Sequence, residues 1–138
     1  DNANVNVVRL PRGSGGGGPA AEPLWLALSE PAAARYVVDP ESLETLRPAG
    51  SPSFPPPLLG PLLHTAHPLH SRHLRGLVNV ATQLLPTPRY VLTLTRAGAG
   101  GELETTTITE LPCGGPVPSW VHSFALAEDI LVLVEMPC

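Results

Sequence analysis

Polar and apolar side chains alternate from the first residues of the chain. In Asn2-Ala3-Asn4-Val5-Asn6-Val7 every second position is apolar, the period of a half-buried strand. Leu24-Trp25-Leu26-Ala27-Leu28 is apolar throughout and runs through Ser29 to Glu30, which predicts a second strand ending at a carboxylate. Arg35-Tyr36-Val37-Val38 predicts a third, closed at Asp39-Pro40, where proline fixes a turn. Ser42–Leu46 follows as a short edge piece, and Leu77–Ala81 as a further strand. Arg89–Thr95 and Glu102–Glu110 flank Ala97-Gly98-Ala99-Gly100-Gly101, a hairpin pattern whose second arm is rich in β-branched residues. Near the end, the proline-punctuated stretch Pro118–Phe124 should deliver His122 to the first position of a strand. A fully apolar strand then runs over Ile130–Val134. Short strands joined by Gly/Pro turns, with no convincing helix, make the chain all-β. A sandwich, a barrel and propeller blades all remain open.

Composition changes this picture in two places. The 18 prolines and 13 glycines concentrate in Pro11–Pro23 and in residues 48–61, which read as Gly-rich and Pro-rich loops inserted between strands. The second cannot form a sheet interior, because proline lacks the ladder donor. Charged residues are 14%, below the roughly 25% of ordinary soluble chains, so the chain relies on burial. The net charge of −4, with eight scattered cationic side chains, argues against nucleic acid as a partner. The longest strand-like apolar run, Ile130–Val134, is far too short to span a bilayer. Cys113 and Cys138 form neither a metal spacing nor a disulfide framework and read as buried thiols. The chain begins at Asp1 and ends at Cys138 beside an apolar strand, so residues 1–138 are expected to be one incomplete domain of something longer.

Two features carry candidate chemistry. His64, His67, His70 and His73 recur every third residue. An extended threefold conformation would put them on one face, which makes a metal-binding tract one reading; Pro68 argues against a helix here. His122, at the mouth of a strand, is either an ordinary strand histidine or a ligand held on a rigid element.

Five separated pieces line up in order with one pattern. They are Asp1–Val7; Glu30 followed by Asp39–Leu46; Thr65-Ala66-His67-Pro68 with Asn79; Leu111-Pro112-Cys113; and Pro118–Phe124 with Glu128, Val134-Glu135 and Pro137. Together they resemble the carotenoid cleavage oxygenases, a family that includes the retinoid isomerohydrolase of the eye and the lignostilbene dioxygenases. The resemblance implies a seven-bladed β-propeller, of which this chain would be the early blades. It implies Fe(II) on the axis, held by four histidines from different blades. His67 and His122 match the first two ligand positions. Glu30 matches a glutamate that accepts a hydrogen bond from a ligand imidazole, here assigned to His122. The other two ligands would lie beyond Cys138. Neutral imidazoles suit ferrous iron, and the unused ring N–H needs an acceptor to fix tautomer and orientation.

The implied reaction is cleavage of one carbon–carbon double bond of a carotenoid or apocarotenoid by O2, giving two carbonyl products. The substrate would lie in an apolar tunnel. Residues 1–138 alone, with two of four ligands, should be inactive. The sequence leaves the compartment unknown, with an intracellular one, plastid or cytoplasm, open. Peripheral membrane contact would use parts outside this chain. Some positions depart from the family pattern. Leu69–His73 lacks the usual acidic turn, although Gly76 and Asn79 remain, and Ala125 stands where glycine is common.

The reading carries geometric expectations. His67 and His122 should approach each other near one end of their strands, with Glu30 in reach of one ring. A structure placing either histidine on the outer face, with its ring in solvent, would overturn the site assignment. His64, His70 and His73 are expected in a surface loop without a ligand role, and Trp25, Trp120 and Phe124 in the core. Two rivals stand beside it: a non-catalytic propeller-derived module or degenerate copy, and a His- and Pro-rich metal-binding segment without a fold.

Overall fold

A computed structural model describes residues 6–13, 21–30, 35–49, 62–128 and 130–136. Among the described residues there are eleven strands and no helix, so the chain is all-β. Its strands pair antiparallel within three sheets, and the described residues form no closed propeller.

The first sheet is a meander of β1 (Asn6–Leu10), β2 (Leu24–Leu28), β3 (Arg35–Val38) and β4 (Thr45–Pro48). In β1 the face that turns inward is Asn6, Val8 and Leu10, while Val7 is exposed. This is the opposite phase from the one the alternation of residues 2–7 suggests. The apolar period restarts at Val8, and Asn6 is drawn inward because its Nδ2 donates to the Ala66 carbonyl at 2.9 Å. The expected edge piece at Ser42–Leu46 forms later, as β4. Residues 41–44 belong to a turn in which Asp39 Oδ1 accepts from the Glu41 and Ser42 amides at 2.9 and 2.8 Å. Pro48 ends β4 on the sheet edge, where the missing donor costs nothing.

The second sheet contains β7 (Gly76–Gln83), β8 (Arg89–Ala97) and β9 (Leu103–Pro112), in that order. Two short strands share the free edge of β7: β5 (Leu62–His64) pairs residues 81–83, and β6 (Leu69–Ser71) pairs residues 76–78. Thr65–Pro68 therefore leaves the ladder opposite Asn79 and Val80. β5 and β6 were not legible in the sequence, since three residues are too few to show a period. Gly76 begins β7 at a close approach, where an added Cβ would sit 2.7 Å from the Thr95 carbonyl oxygen.

Every residue of β7 except Asn79 is buried, as expected for a strand covered on both faces. Leu77 packs with Leu10, Leu24, Leu26, Leu28 and Val37 of the first sheet. Val80, pointing the other way, packs with Tyr90 and Val121, joined by Phe124, Leu131 and Leu133. That second cluster seats the C-terminal segment, including the hairpin of β10 (Ala125–Ala127) and β11 (Ile130–Val132).

Several expectations are corrected here. His122 does not begin a strand; it lies in the loop three residues before β10. The last apolar strand is Ile130–Val132 rather than Ile130–Val134. Trp120 is 54% exposed and not core, and Trp25 and Cys113 are only partly buried. Of the inserted loops, residues 14–20 and 50–61 lie outside the described residues, as does Cys138. The entry to the first loop is docked: Arg12 bridges Ala97, and the Gly13 amide donates to the Ala97 carbonyl at 2.8 Å.

Candidate metal centre

His67 sits in the break between β5 and β6, and Thr65 and Asn79 organise that break. The Thr65 amide donates to the Val80 carbonyl at 3.1 Å. Asn79 then replaces the missing ladder with its side chain. Its Nδ2 donates to the Thr65 carbonyl at 2.9 Å. Its Oδ1 accepts from the Thr65 hydroxyl at 3.1 Å and from the Val80 amide at 2.8 Å. The Thr65 hydroxyl in turn accepts the His67 amide at 2.9 Å. With Asn6 on the Ala66 carbonyl, the residues before His67 are held from both sheets. Neither sequence spacing nor residue type pointed to Thr65 or Asn6 in this role.

His122 is placed by a second network. The Tyr90 hydroxyl accepts the buried Ser119 amide at 2.8 Å and donates to Glu135 Oε1 at 3.0 Å. Burial, together with the neighbouring Glu135 carboxylate, pushes this phenol above its ordinary range, so it stays a donor. Glu135 is held by the Gly114 amide at 2.9 Å, and Ser119 Oγ donates to the Met136 carbonyl. Val121 is buried in the second cluster. The loop is thus pinned on both sides of Trp120, one residue short of His122.

These two supports bring the sequence-derived residues together. The His67 and His122 rings lie 4.5 Å apart, centre to centre, at an angle of 63°. Glu30 Oε1, two residues past the end of β2, is 2.5 Å from His122 Nδ1. A carboxylate there accepts Nδ1–H, which leaves the lone pair of a neutral His122 on Nε2. His67 Nε2 is buried and has no hydrogen-bond partner. Nitrogens in those two states suit a borderline cation such as ferrous iron, so the residues fit the metal that the resemblance implies. Among the described residues no group of three His, Cys, Asp or Glu side chains is arranged to hold a metal by itself.

Two placements differ from expectation. The His122 side chain is 58% exposed, whereas the reading required both rings to be out of solvent; it leaves a surface loop, not a strand interior. The other histidines of the tract do not share a surface loop or a face. His64 is in β5, where burial and then the charge of Arg35 bring it down to about 4, so it is neutral at pH 7. His70, in β6, lies with Nε2 2.5 Å from the Arg9 carbonyl. His73 is exposed in the β6–β7 turn.

The family model described as Retinal pigment epithelial membrane protein matches residues 1–138. The chain belongs to the carotenoid oxygenase family. It is similar to carotenoid cleavage dioxygenase 8 homolog B, chloroplastic, of Oryza sativa subsp. japonica, with 33% identity over 141 residues covering 99% of this chain and 21% of the relative. Homolog A of the same plant is 30% identical over 97% of the chain and 21% of its own length. Carotenoid cleavage dioxygenase 8, chloroplastic, of Arabidopsis thaliana is 29% identical over 99% and 21%. The chain thus spans about a fifth of the length of the curated relatives it matches. No solved structure matches it.

Proposed function

We propose that the protein carrying this chain is a non-haem Fe(II) dioxygenase that cleaves one carbon–carbon double bond of a carotenoid or apocarotenoid with O2. Two carbonyl products result. A plastid location follows the names of its three relatives, each described as chloroplastic. One observation carries the site: His122, bonded to Glu30 through Nδ1, meets the ring of His67, whose buried Nε2 has no partner. His67 and His122 would hold the metal through Nε2. Iron, when bound, supplies the redox chemistry that O2 needs to react with a closed-shell polyene.

The rest is done by residues of this chain. Glu30 keeps the His122 proton on Nδ1 and fixes the plane of the ring. Thr65 and Asn79 fix the backbone at His67, and Tyr90 with Glu135 fixes the loop ahead of His122. The exposure of His122 favours the alternative, a non-catalytic propeller-derived module.

The test uses the natural full-length protein. Iron is measured by elemental analysis, and aldehydes formed from β-carotene and apocarotenals under air are measured by chromatography. Iron retention and aldehyde formation, both lost in His67→Ala and His122→Ala, are the expected results. A folded protein that forms no aldehyde and retains iron equally in wild type and both variants would favour the module.

A further inference from the structure

We propose that a second, independent site on this chain binds a phosphate group. A cleft of about 520 Å³ opens where the exit of β1, the β6–β7 turn and the end of β8 meet. Arg12, His70, Arg72, Arg75 and Arg96 line it, and none of its lining residues is an aspartate or glutamate. A chain with net charge −4 therefore puts four of its eight cationic side chains around one cleft. The site shares no residue with the candidate metal centre.

The fold builds this concentration and holds it. The bridge from Arg12 to Ala97, and the Gly13 amide on the Ala97 carbonyl, fix the β1 exit beside β8. The β6–β7 turn is fastened to β8, since Arg96 Nε and Nη2 both donate to the Leu74 carbonyl, at 3.1 and 2.9 Å. The Leu74 amide donates to Ser71 Oγ at 3.0 Å.

No ion pair joins Arg12, Arg72, Arg75 or Arg96 to a carboxylate among the described residues. The nearby Glu102 folds its carboxylate over Gly98 and Gly100 instead. Arg47, outside the cleft lining, donates Nη2 to the Gly101 carbonyl at 2.9 Å beside the Arg12 guanidinium. Arg12 Nε is buried without a hydrogen-bond acceptor. Several guanidinium groups around one cavity match the oxygens of a tetrahedral oxyanion. Two sources share that chemistry: a soluble phosphate and a phospholipid headgroup.

The experiment compares the full-length protein with an Arg72→Gln/Arg75→Asn variant. Both side chains are exposed and form none of the contacts that fasten the turn. Asparagine tolerates the positive φ of 53° at position 75. Inorganic phosphate is titrated by calorimetry at constant ionic strength, with chloride as control. Co-sedimentation is measured on phosphatidylcholine vesicles with and without phosphatidylglycerol. Saturable phosphate binding, roughly tenfold weaker in the double variant, supports the site with a soluble ligand. Binding only to phosphatidylglycerol vesicles, competed by phosphate and lost in the variant, supports it with a headgroup. Binding to neither probe, or equal binding by wild type and variant, overturns it. If the double variant fails to fold, Arg72→Gln alone is read the same way.

Discussion

Replacing Thr65 by valine, and separately by serine, divides the work of its hydroxyl from that of its methyl. Thr65 is 2% exposed, so neither replacement is bathed in water. Valine keeps the shape but removes the oxygen that accepts the His67 amide and donates to Asn79 Oδ1. The His67 N–H is then left without that acceptor, at a cost of about 1–3 kcal/mol. Asn79 Oδ1 keeps the Val80 amide as a donor, so the loss there is about 1 kcal/mol. The added apolar surface offsets about 1 kcal/mol, leaving valine about 1–3 kcal/mol less stable than threonine. Serine keeps the oxygen and loses one methyl, about 1 kcal/mol. A purely hydrophobic account orders the stabilities Val, Thr, Ser; the hydrogen-bond account makes Thr the most stable. Urea midpoints on the full-length protein separate the two, and metal retained after dialysis adds a second readout. Valine should weaken retention by loosening His67, and serine should not. A valine variant at least as stable as wild type, with retention unchanged, would refute the reasoning.

Other outcomes follow from the same networks. Tyr90→Phe leaves the buried Ser119 amide without its acceptor and should cost about 1–3 kcal/mol, read as a urea midpoint; a change below about 0.5 kcal/mol would mean that the loop ahead of His122 is held by something else. Glu30→Gln, which keeps an acceptor oxygen but loses the charge, should weaken metal retention or turnover in the full-length protein by roughly 10- to 100-fold; equal behaviour of the two proteins would remove Glu30 from the mechanism. His64 is held down to about 4 when folded and returns to its ordinary 6.5 when unfolded. The unfolded chain therefore binds more protons between these values, and stability is present above pH 6.5 and lost as pH falls toward 4. The loss should total ~3 kcal/mol, and His64→Gln should flatten that part of a stability–pH profile; an unchanged slope would contradict the burial. Residues 1–138 expressed alone should hold less than one iron per chain after desalting, since two imidazoles favour copper or zinc; stoichiometric iron would show that further ligands are not needed.

What the sequence determined by itself is local. Alternation, turn chemistry and the glycine-rich connection at Ala97–Gly101 made the class all-β and located the β8–β9 hairpin, because period and φ/ψ preference are properties of neighbouring residues. The motif pieces named His67, His122 and Glu30. Tertiary structure decided what those residues can do. Four histidines at equal spacing meet four different fates, since β7 pairs the chain on either side of His67 and leaves His67 in the gap. Asn6 turned the phase of β1 because its partner, Ala66, lies 60 residues away. The Tyr90–Glu135 bond and the Glu30–His122 bond close over 45 and 92 residues. Such contacts depend on which apolar faces meet, and each strand carries only its own half of that information. The arginine cleft has the same origin: its cations are scattered along the chain, and the docking of the β1 exit and the β6–β7 turn on β8 brings them together.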